Sequence, residues 1–297
     1  MAGAAGGAAG APSSETSLVQ RPPEPKADYG EVTPIELQER FAFMDLPGHT
    51  RSVVERDHAL ITPESRVWDG AAPGWQKSLV AWTITPAPPM NAGFTMMLVK
   101  MNPGGAALGN PAGHERFVFV VEGEVKLACP DSNELLGMDE FAYFPRGYNY
   151  AMQAPAGALL LVYEREYAET AEGESPAFVK GKTAEQPLIE TPGEIFKLRK
   201  LLPQTEAYDF NIHVMDFEPG EYLNVKEVHY NQHGLLMLEG QGVYRLGERW
   251  YPVKAGDVIW MAPWVPQWYG ALGKRRTRYI IYKDTNRNPG YGNKGTL

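Results

Sequence analysis

The 297-residue chain contains a single cysteine, Cys129. One cysteine closes no internal disulfide and builds no thiolate cage, and its plain reading is a small buried or half-buried side chain. No apolar run approaches the ~20 residues a helix needs to cross a bilayer, so no membrane span is expected. Positive charge is sparse as well. Lys and Arg number 28 against 36 Asp and Glu, the net charge is −8, and "GKRRTR" at 273–278 is the one basic cluster. An acidic chain repels phosphate backbones, which excludes nucleic acid as a partner. The first residues, "MAGAAGGAAGAPSSETSLVQRPPEPKADYGE", have neither a basic leading segment nor a leucine-rich core, so they do not read as a secretory signal. Their Ala, Gly, Ser and Pro cannot bury enough apolar surface to order themselves, and residues 1–32 are expected to form a disordered tail. Helical periodicity is almost missing. Only "IELQERFAFM" (35–44) and "GEIFKLRKLL" (193–202) tempt a helix assignment.

What the chain does have is strands. "KSLVAWTITP", "GFTMMLVKM", "ERFVFVVEGEVKLAC" and "ALLLVYERE" are short runs rich in Val, Phe, Tyr and Leu, separated by Gly, Pro and Asn. The pattern then recurs in the second half. "FVFVVEGEVKL" matches "LLMLEGQGVYRL" with Gly123 on Gly240. "GMDEFAYFPRG" matches "AGDVIWMAPWV" with Pro145 on Pro263, and "LLVYERE" matches "YIIYKDT" with Tyr163 on Tyr282. Matched blocks in the same order predict two duplicated all-β domains, small barrels or jelly rolls, over residues 33–180 and 181–297.

Histidine is scarce too, at positions 49, 58, 114, 213, 229 and 233, yet two of the six fall beside a carboxylate in "KEVHYNQHGLLMLEGQG". On a helix His229 and His233 would share a face, but the zinc-protease pattern needs Glu directly after the first His, and Tyr230 stands there. In an extended chain Glu227 and His229 point the same way, and His233 can return to that face around a bend. A carboxylate and two imidazoles would then converge inside a barrel as metal ligands. The plainer alternative is a set of satisfied polar groups.

The stretch from Gly220 to Gly240 resembles the first cupin motif, and "GDVIWMAPWVPQW" (256–268) resembles the second, with Gln267 where a histidine usually supplies the fourth ligand. More specifically, "NIHVMDFEPGEYLNVKEVHYNQHGLLMLEGQGVYRLGERWYPVKAGDVIWMAPWVPQWY", "YKDTNRNP" and "HTRSVVERDHALITPES" resemble the (S)-ureidoglycine aminohydrolases, over about residues 45–290. That resemblance implies a bicupin that releases ammonia from (S)-2-ureidoglycine, giving (S)-ureidoglycolate in purine and allantoin degradation. It implies Mn²⁺ on Glu227, His229, His233 and Gln267, a donor set rich in oxygen and nitrogen that suits Mn²⁺. It also implies a homo-oligomer, an octamer in the family, and for plant members the endoplasmic reticulum. Lys283 is the candidate for proton transfer, and Glu227, Tyr244, Tyr279 and Lys283 are the candidate substrate contacts. Trp260, Trp264 and Trp268 are expected to wall the barrel. In the first domain, Asn110, Ala112 and Arg116 fall where Glu227, His229 and His233 stand, Asn149 falls opposite Gln267, and Glu164 takes the place of Lys283. That domain is expected to carry no metal, because alanine cannot ligate and arginine repels a cation. Two other readings stay open: a different metal-dependent cupin enzyme, such as an oxygenase or isomerase, and a non-catalytic binding or storage bicupin.

Overall fold

The computed structural model describes residues 48–170 and 173–287. Among them the regular structure is antiparallel β-sheet with two single turns of 3₁₀ helix, and no helix is long and apolar enough to cross a membrane. The all-β expectation holds, and the two halves form two barrels. The first is built on the long strands Thr95–Leu108 and His114–Cys129, with Ala158–Glu166 paired to both. The second combines a sheet containing Asn211–Phe217, His233–Glu239, Val258–Met261 and Thr277–Lys283 with a three-stranded sheet of Gln241–Leu246, Arg249–Lys254 and Gln267–Leu272.

The duplication extends to register. Arg116 pairs with Glu164 in the first barrel, and His233 pairs with Lys283 in the second. Gly123 and Gly240 both take a positive φ, 73° and 75°. A Cβ there would come within 2.5 Å of Gly157 O and 2.7 Å of Arg276 O, so only glycine fits the bend at either position.

Two expectations about local structure change. The segment 193–202 is not helical: Pro192 and Gly193 sit in a turn, and Lys197–Lys200 is a strand paired with Asn211–Phe217. Its alternation, with Leu198 inward beside Lys197 and Arg199, has the period of a strand. Residue 33, the expected start of the first domain, lies outside the described residues, and one segment expected in that domain pairs elsewhere. Val53–Val54 and His58–Ile61 precede the first barrel in sequence but extend the second barrel's sheet, with Ala59 opposite Trp260. Arg51 clamps this addition by a two-pronged ion pair with buried Asp257 (2.7 and 2.9 Å). The sheet edge at Val258–Met261 is thereby covered. The tail 1–32 and the segment 35–44 lie outside the described residues.

Strand His233–Glu239 shows why its sequence is apolar almost without a break. His233, Leu235 and Met237 face the interior of the second barrel, where they meet Ile259, Met261, Tyr279 and Ile281. Gly234, Leu236 and Leu238 face the first barrel. A strand buried on both faces loses the polar half of its alternation. Between the barrels lies a third core in which Phe94 stacks on Tyr282 (centroids 3.9 Å, 17°) and Tyr163 meets Tyr282 at 5.7 Å. Tyr163 and Tyr282, matched by the repeat, thus meet across the domain boundary with their rings tilted by 32°.

Candidate metal centre and substrate site

Glu227 and Gln267 are joined by a β-bridge in which each N–H donates to the other's carbonyl at 2.9 Å. Glu227 is therefore held extended by one bridge and not by a continuous strand. His229 follows two residues on, and its carbonyl accepts the Trp264 N–H at 2.8 Å. Three of the four expected ligands converge on one atom. His229 Nε2 lies 3.4 Å from Glu227 Oε2 and 3.0 Å from Gln267 Nε2. A half-turn of the Gln267 amide would present its oxygen there instead. His233, the first residue of its strand, stands with its ring 5.0 Å from that of His229 at 86°. Its Nδ1–H donates to Tyr282 O at 3.1 Å, which leaves Nε2 with its lone pair free for a ligand. Among the described residues no three His, Cys, Asp or Glu side chains yet stand at a closed metal spacing. The donor types fit a divalent cation, with His233 completing the set and an amide as the fourth member.

The electrostatics keep these donors available. Burial, with Lys283 nearby, holds the His233 imidazole well below its ordinary value, so it is neutral. Burial opposes ionisation of Glu227, but the hydrogen bond with His229 and the charge of Lys283 together hold its carboxyl below the ordinary range. Lys283 is opposite His233 in register, and burial pulls its ammonium down while Glu227 and Asp284 push it back up. Tyr244 and Tyr279 are buried in the barrel interior, with their hydroxyls near each other. The negative charge of Glu227 reaches both hydroxyls, which places them on its side of the barrel. Trp260 departs from its expected place: it packs in the core between the barrels. Trp264 is 63 % exposed, and Trp268 lies half-buried on the outer sheet with Nε1–H donating to Leu223 O.

In the first barrel the corresponding place is already filled. Arg116 Nε donates to Glu164 at 2.6 Å, its Nη1 to the Tyr150 hydroxyl at 2.6 Å, and the Tyr150 hydroxyl to Asn110 Oδ1 at 2.9 Å. A guanidinium stands where His233 stands in the second barrel. The residue opposite Gln267 is Tyr150 and not Asn149. Lys126 pairs with Gln153 as Val243 pairs with Gly270, which carries Tyr150 onto Gln267. The sequence match drifts by one residue between Gly123 and Pro145, and only strand pairing reveals it.

Sequence reasoning missed the residues that hold the ligand loop. Asp284 accepts the Gln232 N–H at 2.9 Å, and Gln232 Oε1 accepts the Gly93 N–H at 2.9 Å. The first barrel thus grips the loop that carries His229 and His233. Tyr163 adds a hydrogen bond to Gly234 O at 3.0 Å. Of these, only Tyr163 carried a sequence signal, through the repeat.

The cupin domain family matches residues 213–282, which span the ligands and the strands that frame them. The chain is 55 % identical to (S)-ureidoglycine aminohydrolase of Arabidopsis thaliana over 265 residues, 89 % of this chain and 86 % of that one. It is 54 % identical to the probable (S)-ureidoglycine aminohydrolase of Oryza sativa subsp. japonica, with 89 % and 82 % covered. Among solved structures it resembles protein Ylba from Escherichia coli at 28 % identity and a TM-score of 0.70, covering 80 % of this chain and 96 % of that one.

Proposed function

The chain belongs to the (S)-ureidoglycine aminohydrolase family, and on that premise we propose that its second barrel holds one divalent cation, Mn²⁺, on Glu227, His229, His233 and Gln267. The enzyme releases ammonia hydrolytically from (S)-2-ureidoglycine and leaves (S)-ureidoglycolate, a step of purine degradation. The observation that carries the site is the meeting of Glu227, His229 and Gln267 at one imidazole nitrogen, with Lys283 opposite His233 on the next strand.

The reaction breaks one C–N bond and forms one C–O bond. Water gives up a proton and the departing amine gains one, so the site must move a proton as well as bind. When bound, the cation supplies Lewis acidity and a template for the substrate's carboxylate. Lys283 is the proton carrier: burial lowers its pKa, so the ammonium can release a proton and recover it. Glu227 stays ionised, ligates, and faces the substrate. Tyr244 and Tyr279 orient it through their hydroxyls. In the first barrel the buried Arg116–Glu164 pair supports a reading in which only the second barrel holds the metal.

The outer face of the three-stranded sheet supports a homo-oligomer. Trp250 and Tyr222 are 55 % and 47 % exposed and lie 5.7 and 5.9 Å from Trp268, and Leu272 on the same sheet is also exposed. Contiguous apolar patches of this kind mark interaction surfaces. An octamer, expected from the family, is tested by sedimentation of the whole chain.

The decisive experiment measures ammonia from freshly generated ureidoglycine, with and without Mn²⁺, alongside elemental analysis of His233→Ala. Turnover that depends on Mn²⁺, and loss of most metal in the variant, are expected. Metal retained by His233→Ala would remove the site assignment, and oxygen uptake in place of ammonia would favour an oxygenase.

A further inference from the structure

His213 is a buried polar group that the reaction as described does not use. It lies on strand Asn211–Phe217, between Lys200 on one side and Ile281 on the other. The pairing fixes where it faces. Leu198 and Met215 are opposite each other, as are Met215 and Tyr279, so His213 shares the inward face with Lys200, Tyr279 and Lys283. It is 7 % exposed, and its Nε2 has no hydrogen-bond partner among the described residues. A buried nitrogen left unpaired is costly, so a hydrogen-bonding group placed beside it would be favoured.

We propose that His213 is a substrate contact that recognises the ureido group. This rests on reading the second barrel as the ureidoglycine site. The substrate presents one anionic group, the carboxylate, and one uncharged hydrogen-bonding group, the ureide. Lys283, Lys200 and the proposed cation are positive and suit the carboxylate. His213 is held neutral by burial, with Lys283 and Lys200 nearby. A neutral imidazole offers one donor and one acceptor, which complements an amide edge and gains little from an anion.

The test separates the ureide from the carboxylate. N-carbamoylglycine carries both groups but no leaving amine. N-acetylglycine replaces the terminal amide nitrogen with a methyl. Calorimetry on the Mn²⁺-loaded protein is expected to show a preference for the carbamoyl compound of roughly tenfold, about one hydrogen bond. His213→Asn keeps a polar side chain but reaches only to the Nδ1 position, and should abolish the preference with metal content unchanged. His213→Gln reaches the Nε2 position and should keep most of it. A wild-type protein that does not distinguish the two compounds, or an Asn variant that still does, overturns the proposal. Failure of the reaction reading is separately visible: no ammonia from ureidoglycine, with the preference and its response to His213→Asn intact, removes the reaction and leaves the contact standing.

Discussion

Replacing Gly234 with alanine tests whether the first barrel positions the metal ligands of the second. Gly234 follows His233 and faces the domain boundary. A Cβ added there would come within 2.6 and 2.8 Å of two Phe94 ring carbons and 3.0 Å of Ile84 Cδ1. Those distances are well inside contact, and the Phe94 ring is itself stacked on Tyr282 and cannot simply turn aside. Overpacking of this kind costs about 1–3 kcal/mol. At roughly 2–4 °C per kcal/mol, Tm should fall by about 2–12 °C. The strain acts on the peptide next to His233, whose Nδ1–H is fixed by the carbonyl of that same Tyr282. Mn²⁺ affinity and turnover should therefore drop together, although no ligand has been altered. The assay is a thermal melt with Mn²⁺ titration on the same samples, for Gly234→Ala, Phe94→Leu and the double variant. Phe94→Leu opens space, so the double variant should be less damaged than the sum of the singles. A variant with wild-type Tm and metal affinity, or costs that simply add, would refute the idea that the boundary transmits strain to the site.

Lys283→Met should fold, keep its full metal content and lose turnover by ~10²–10⁴-fold, the usual contribution of a positioned acid–base group, and Lys283→Arg should be nearly as poor; an active Arg variant would make Lys283 a fixed charge instead. Gln267→His, which installs a stronger ligand, should bind metal more tightly and turn over more slowly, and kinetics identical to wild type would show that Gln267 is not a ligand. The pH dependence of stability should carry the signature of Glu115, whose carboxyl is buried between the barrels and pushed up to about 8, mainly by burial. The folded state then binds a proton that the unfolded chain releases near its ordinary carboxylate value, so stability falls as pH rises from about 4.5 to about 8. Glu115→Gln should flatten that slope in melts between pH 5 and pH 8, whereas an unchanged slope would place the titrating group elsewhere.

The fold was legible because its signals are local or repeated. Alternating and continuous apolar runs set the strands, and a repeat anchored on Gly123/Gly240 and Tyr163/Tyr282 set the duplication. The candidate ligands were legible because Glu227, His229 and His233 fall within one short stretch, and Gln267 within a second motif. What could not be read is what depends on pairing at long range. Nothing in "SVVERDHALI" says that it joins the second barrel's sheet. The slip that brings Tyr150, and not Asn149, opposite Gln267 is one residue long and hidden by similar text on either side.

The sequence by itself determined which side chains the candidate site can offer: nitrogen and oxygen ligands from Glu227, His229, His233 and Gln267, one lysine on an apolar strand, and a first domain with arginine where the second has histidine. The tertiary structure decided which of them face one another. His213 is fourteen residues from Glu227 and seventy from Lys283, and becomes part of the same interior only because its strand pairs with Thr277–Lys283. Gln232 grips Gly93 only because the barrels pack back to back. Side-chain identity is written residue by residue, but burial, proton affinity and reach are set by neighbours that only the folded chain brings together.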